Sequence, residues 1–282
     1  MRFAVLIITY TSAAQTRRLI DRLRTGPFDF YVHVDKKIDI ATHKDIFSLP
    51  NVYPVQNRID IKWGGYTLVE AILSGLDEIE KTGRTYQFIK LLSGQDYPIK
   101  TTAAITQFME ANIGKEFLYY QHFRTEWPDA LARVEKYHFT DFSFRGRHQI
   151  ERILNFLTPK RKLPEPLELY GKETFWLLSP EVAFYAKNFI QSRPKLMRFM
   201  KYTWGCDEFI FHSVILNSKY KDRVVNQNTH YVNWPRPGAD RPNFFVASDF
   251  ERIIAAPGLF ARKFNIEIDN KIFDLLDEKH GQ

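Results

Sequence analysis

Phe3-Ala4-Val5-Leu6-Ile7-Ile8 is an unbroken apolar run, and polar positions begin at Thr9. A strand apolar on both sides sits inside a parallel sheet, so the run predicts a buried strand. Ser12 follows as a capping residue, and Leu19, Ile20 and Leu23 recur at helical spacing beneath exposed arginines. Phe28 to Val34 returns as a strand and ends at Asp35-Lys36-Lys37. Tyr66 to Ile79 has helical periodicity, and Tyr86 to Leu92 is again an apolar strand. This alternation predicts an α/β fold with a Rossmann-like, mostly parallel sheet flanked by helices. Ligands bind such sheets where loops leave the carboxyl ends of the strands. Those ends are Thr9-Tyr10, Val34-Asp35-Lys36 and Ser93-Gly94-Gln95-Asp96.

From about Thr125 to Glu168 the alternation fades and charge rises, as in Phe144-Arg145-Gly146-Arg147-His148 and Lys160-Arg161-Lys162. The stretch reads as an irregular, partly helical insertion ending in the Leu163-Pro164-Glu165-Pro166 loop. Regular structure resumes with a strand over Thr174 to Leu178 and a helix opened by Ser179-Pro180-Glu181. Tyr231 to Trp234 reads as a strand, and Asp249 as the cap of a short helix through Ile254. No internal repeat breaks the chain, so residues 1–282 are expected to form one domain. Its parts are 1–124, an insertion at 125–168, and a decorated C-terminal half at 169–282.

Hydrophobic residues at 44% suffice for a large core, and this excludes extensive disorder. A net charge of +7 favours an anionic partner. Lysine and arginine are spread over every segment, which argues against a nucleic-acid-binding strip, the competing reading for a basic, aromatic-rich chain. The single cysteine, Cys206, excludes an internal disulfide and argues against a thiolate-based structural zinc site. The histidines show no metal-ligand spacing, so no metal is expected. Neither a dinucleotide-binding nor a P-loop glycine pattern occurs. The N-terminal apolar run is too short for a signal peptide or a membrane span. The expectation is a cytoplasmic chain, with the inner membrane face as a candidate peripheral contact.

Four segments can carry chemistry. Trp63-Gly64-Gly65-Tyr66 puts two glycines before a helix, where backbone amides can approach a phosphate or sugar. Asp96 ends a buried strand in Ser93-Gly94-Gln95-Asp96-Tyr97-Pro98, as a catalytic or ligand-orienting carboxylate or as a turn former. Asp207-Glu208 precedes Phe209, Ile210 and Phe211 at an expected helix start. Apolar neighbours raise a carboxylate's proton affinity, as a general base requires, while a helix dipole would pull the other way. Phe260-Ala261-Arg262-Lys263-Phe264 and the upstream Trp234 and Arg241 supply cations held by aromatics, suited to a diphosphate. The DxD sequence that clamps a cation for nucleotide sugars is absent.

Together with Tyr31-Val32-His33-Val34-Asp35-Lys36-Lys37, these segments resemble the core-2/I-branching glycosyltransferases. That family groups β-1,6-N-acetylglucosaminyltransferases with peptide O-xylosyltransferases. The motifs stand in the family's order from Phe3 to about Leu276. The resemblance implies a GT-A fold and inverting, metal-independent transfer from a UDP-sugar to a glycan or lipid-linked glycan. N-acetylglucosamine is the preferred donor sugar and xylose the alternative. Glu208 is similar to the base of the branching enzymes, and Asp96 to the aspartate that xylosyltransferases use. Lys263 is similar to the lysine that binds the UDP diphosphate, and its arginine partner is expected near Asp240, with Arg241 adjacent. The donor is expected across Thr9, Asp35, Trp63, Gly64 and Gly65, with Asp207, Trp234, Arg262 and Lys263 completing the site. The inserted 125–168 region, with Tyr137, Phe144, Arg145 and Arg147, is expected on the acceptor side. Without an anchored stem, the chain resembles a bacterial member of the family.

Overall fold

A computed structural model describes residues 1–236 and 241–281. Seven strands form the main sheet: β1 (Phe3–Thr9), β2 (Phe28–Val34), β3 (Val52–Pro54), β4 (Ile89–Ser93), β6 (Glu116–Phe117), β9 (Leu177–Leu178) and β10 (Val224–Val225). Their order is β10-β6-β9-β4-β1-β2-β3. Neighbours run parallel except where β9 meets β4 and β6. β1 lies between β2 and β4 and all its residues are buried, which is why the sequence there is apolar without a break. Its alternate side chains feed two cores. Ala4, Leu6 and Ile8 pack with the Tyr66–Lys81 helix, and Phe3, Val5 and Ile7 with Leu19, Ile20 and Leu23 of the Ala13–Leu23 helix. Each such fully buried Val, Leu, Ile or Phe side chain contributes roughly 1.5–3 kcal/mol. A Cβ at Gly75 would lie 2.3 Å from Leu6, so a glycine is what lets the Tyr66–Lys81 helix sit on β1.

A second sheet, in the order β11-β12-β5, joins β5 (Asp96–Pro98), β11 (His230–Val232) and β12 (Phe260–Arg262). β12 runs parallel to β11 and antiparallel to β5, and that register sets Arg262 opposite Asp96. A third pairing joins β7 (Tyr120–His122) to β8 (Tyr170–Lys172). Among the described residues, no helix is long and apolar enough to cross a membrane.

The α/β alternation, the Ser12 cap and the Ser179-Pro180 helix start all appear as expected. Four local expectations change. The strand expected over 174–178 shrinks to Leu177–Leu178, and the strand near 231 ends at Val232, leaving Trp234 beyond it. Asp207 and Glu208 lie in a 3₁₀ turn, Cys206–Glu208, ahead of the Ile210–Leu216 helix. They therefore precede that helix's first turn. Asp249 precedes the Phe250–Ala255 helix without capping it; its carboxylate turns back to accept from the Val246 amide at 3.1 Å.

Candidate active site

The carboxyl end of β4 and the segment after β12 are stitched together by one glutamine of the helix that follows β1. Gln15 donates to the Gly94 carbonyl at 2.6 Å and the Phe264 carbonyl at 3.1 Å, and the Phe264 amide donates to the Gln95 carbonyl. Tyr10 donates to the Gln95 side chain at 2.8 Å. The strand ends singled out from the pattern of apolar runs thus meet at one edge of the sheet.

Asp96 is buried there. Its carboxylate accepts from the Ser93 amide at 2.6 Å, with Arg262 Nε at 3.3 Å and His230 Nε2 at 3.5 Å. Burial pushes its proton affinity up, but Arg262, His230 and the Ser93 amide outweigh burial and hold it below the usual range. An ionised, enclosed Asp96 is a poor proton acceptor and a good orienting group. His230 is driven down to about 4 by burial and by Lys90, so its ring is neutral near neutral pH. Lys90, wholly buried on β4, donates to Thr229 Oγ1 at 2.8 Å, and burial lowers it to about 7. Arg262 lies over the Phe175 ring at 4.3 Å and is committed to Asp96.

The other cations are differently placed. Lys263 lies over Phe244 at 5.6 Å, and Arg241 over Trp63 at 4.9 Å. Burial, then Arg262 and Arg241, lower Lys263 to about 8. Asp240, where the resemblance set the partnering arginine, lies outside the described residues. Arg241 influences Lys263 and faces the same edge.

Glu208 accepts from Arg133, whose guanidinium is sandwiched by Trp127 at 4.5 Å and Trp204 at 4.2 Å. Burial raises Glu208, and Arg133 opposes it. Asp207 is also raised by burial, yet its carboxylate is occupied by Thr174 Oγ1 at 2.6 Å, so it braces the turn. Sequence reasoning missed Glu173, which follows β8. Burial and the neighbouring Glu208 push it up to about 7, while Arg262, Lys172 and a hydrogen bond from Trp234 pull the other way. Arg133, Lys90 and His230 were missed too. A lysine inside the apolar strand Ile89-Lys90-Leu91-Leu92 is a visible signal; Glu173 and Arg133 carry none, because their partners come from distant segments.

Three expected donor contacts look different at atomic detail. The amides of Tyr66 and Thr67, expected to face a phosphate, are taken by Asp141 at 2.8 and 3.4 Å. A Cβ on Gly65 would meet Asp141 at 1.9 Å and one on Gly64, at φ +71°, Trp204 at 2.6 Å, so the glycines serve close packing. Thr9 is buried, with its hydroxyl 2.9 Å from that of Thr11 and 3.1 Å from that of Thr16, and Asp35 accepts from the Lys37 amide and ammonium. From the insertion, Arg133, set over the Trp127 ring, reaches Glu208. Arg147 instead donates to the Phe142 carbonyl, and Arg145 is exposed.

The Rossmann-like edge thus gathers two glutamates whose proton affinity is raised, Glu173 and Glu208, and cations set on aromatic rings, Lys263 and Arg241. The chain belongs to the Core-2/I-branching enzyme family, whose sequence model matches residues 3–254. Xylosyltransferase oxt of Drosophila pseudoobscura pseudoobscura is 25% identical over 97% of this chain and 32% of its own length. Xylosyltransferase 2 of Rattus norvegicus is 27% identical over 98% and 33%. The chain thus spans about one-third of the length of these curated relatives. Among solved structures, mouse xyloside xylosyltransferase 1 in its apo form superposes with a TM-score of 0.41 at 10% identity, over 92% of this chain and 97% of that one.

Proposed function

We propose that this chain is an inverting glycosyltransferase that moves a sugar from a UDP-sugar to a hydroxyl of a glycan without a divalent metal. The observation that carries the reading is one electrostatic cluster around Arg262, which acts on Lys263 together with Arg241 and on Glu173 together with Glu208. In a single displacement the acceptor oxygen bonds to the sugar's anomeric carbon as that carbon's bond to the diphosphate breaks. The acceptor proton passes to a carboxylate, and the electron pair leaves with UDP. Lys263 and Arg241 stabilise the charge gathering on the leaving diphosphate, the task a metal performs elsewhere. Arg262, held by Asp96, fixes the edge from which they project.

We assign proton acceptance to Glu173. Glu208 is tied to Arg133 and is largely an electrostatic neighbour; its negative charge keeps Glu173 basic. Asp96, once the alternative base, is too strongly stabilised as an anion for that role. N-acetylglucosamine is the donor sugar expected from the sequence. The xylosyltransferase relatives support xylose equally, so both enter the test. UDP-xylose and UDP-N-acetylglucosamine, each with and without EDTA, are assayed for UDP release, and binding of UDP is compared with ADP and GDP by calorimetry. UDP preference with EDTA-resistant turnover of one donor supports the reading. Equal affinity for all three nucleotides, or turnover abolished by EDTA and restored by manganese, refutes it.

A further inference from the structure

The Arg147–Leu157 helix is turned the opposite way from an ordinary surface helix. Its polar side holds the protein: Asn155 accepts from the Tyr137 amide at 2.7 Å and donates to the Tyr137 carbonyl at 2.8 Å, and Glu151 accepts from the Phe139 amide at 3.0 Å. Its apolar side faces outward. Ile150 is 49% exposed, Ile153 58%, Phe156 86% and Leu157 71%, and the spacing puts all four on one stripe. No residue of this helix is buried. Leaving such a stripe in water forgoes the burial that normally justifies an amphipathic helix, so the stripe calls for a partner.

Charge identifies that partner. Residues 143–162 contain Arg145, Arg147, Arg152, Lys160, Arg161 and Lys162 against the single acid Glu151. Of these, Arg145, Arg152, Lys160 and Lys162 are exposed. Beside the stripe is an open groove of about 500 Å³, whose lining includes Lys136, His148, Arg152 and Phe156, with Glu151 the acid among them. An exposed apolar stripe bordered by cations and a basic groove matches an anionic bilayer surface, with acyl chains against the stripe and phosphates at the cations. We propose that this helix docks the protein onto an anionic membrane, lying in the interface without crossing it. The inserted region that carries the helix also sends Arg133, set over the Trp127 ring, to Glu208, so docking would hold the proposed active site near the membrane surface. The proposal stands on the helix alone and does not depend on the assigned reaction.

Flotation of the full chain tests it, using vesicles of phosphatidylcholine alone or with about 30% phosphatidylglycerol. The protein should float with the anionic vesicles and much less with the neutral ones, and binding should weaken as salt rises to about 0.5 M. The Ile153→Asp, Phe156→Asp double variant should bind at least tenfold more weakly, with an unchanged melting temperature and UDP affinity because both side chains are exposed. Arg145→Glu with Arg152→Glu should abolish the preference for anionic vesicles. No flotation by the wild type overturns the proposal, as does undiminished flotation of the double variant. A wild-type dimer that Phe156→Asp converts to monomer overturns it too, since a second copy would then cover the stripe.

Discussion

Glu173→Gln separates the role of the site from its effect on stability, because the two should move in opposite directions. Glu173 titrates near 7 against an ordinary 4.5, chiefly because burial and Glu208 disfavour its charged form. The folded protein therefore holds that proton more tightly than the unfolded chain does. Stability falls as pH rises from about 4.5 to 7, and the full penalty is present above 7. The penalty is on the order of 2–3 kcal/mol once the side chain's partial exposure is allowed for. Glutamine removes the charge and keeps a carbonyl to accept from Trp234. At pH 8 the variant should melt higher by roughly 4–6 °C for a chain of this size. Near pH 4.5 both forms are neutral and the melting temperatures should coincide. Turnover should fall by about 10²–10⁴, the usual loss of a general base, with donor affinity retained. Scanning calorimetry across pH and a UDP-release assay measure both. A variant that melts at the wild-type temperature at pH 8, or that turns over normally, refutes the assignment of Glu173.

Glu208→Gln should leave donor affinity intact and shift the acidic limb of the kcat/KM profile, set near 7 by Glu173, to lower pH by about one unit; a limb that stays in place refutes the coupling. Lys263→Ala should raise the dissociation constant for UDP and lower kcat together, which titration calorimetry and initial rates would detect. Because Lys263 ionises near 8, UDP affinity should fall as pH rises past 8 with net proton uptake on binding; affinity flat to pH 9.5 contradicts its contact with the diphosphate. Asp96→Asn should leave Arg262 without its carboxylate and destabilise the fold by roughly 3–5 kcal/mol, read as a lower denaturation midpoint.

What the sequence discloses follows from how locally each feature is determined. The apolar run at β1 is legible because burial on both faces leaves no polar position. Asp96 is legible because a carboxylate ending such a strand is conspicuous. Lys263 and Arg262 could be located, but their different duties could not. The division comes from sheet register, which places Arg262, and not Lys263, opposite Asp96. Glu173 is an ordinary residue between Lys172 and Thr174 until Glu208 and Trp234 arrive from elsewhere in the chain. The packing of the Gly64-Gly65 turn is hidden in the sequence for a similar reason. Its helix amides would be available to a phosphate if Asp141, far along the chain, did not already occupy them.

The cations of the site differ in what they have left to give. Arg262 and Arg133 each face a carboxylate, so an arriving anion would have to compete with Asp96 or Glu208 for them. Lys263 and Arg241 rest on aromatic faces, and among the described residues neither forms an ion pair. Burial, then Arg262 and Arg241, depress the ionisation of Lys263, and on the proposed reading a diphosphate between Lys263 and Arg241 would relieve the repulsion among these cations. That relief grows as negative charge accumulates on the departing oxygen, so it favours the transition state over the bound donor. On the proposed reading, the committed arginines keep the edge in place and the uncommitted pair meets the charge.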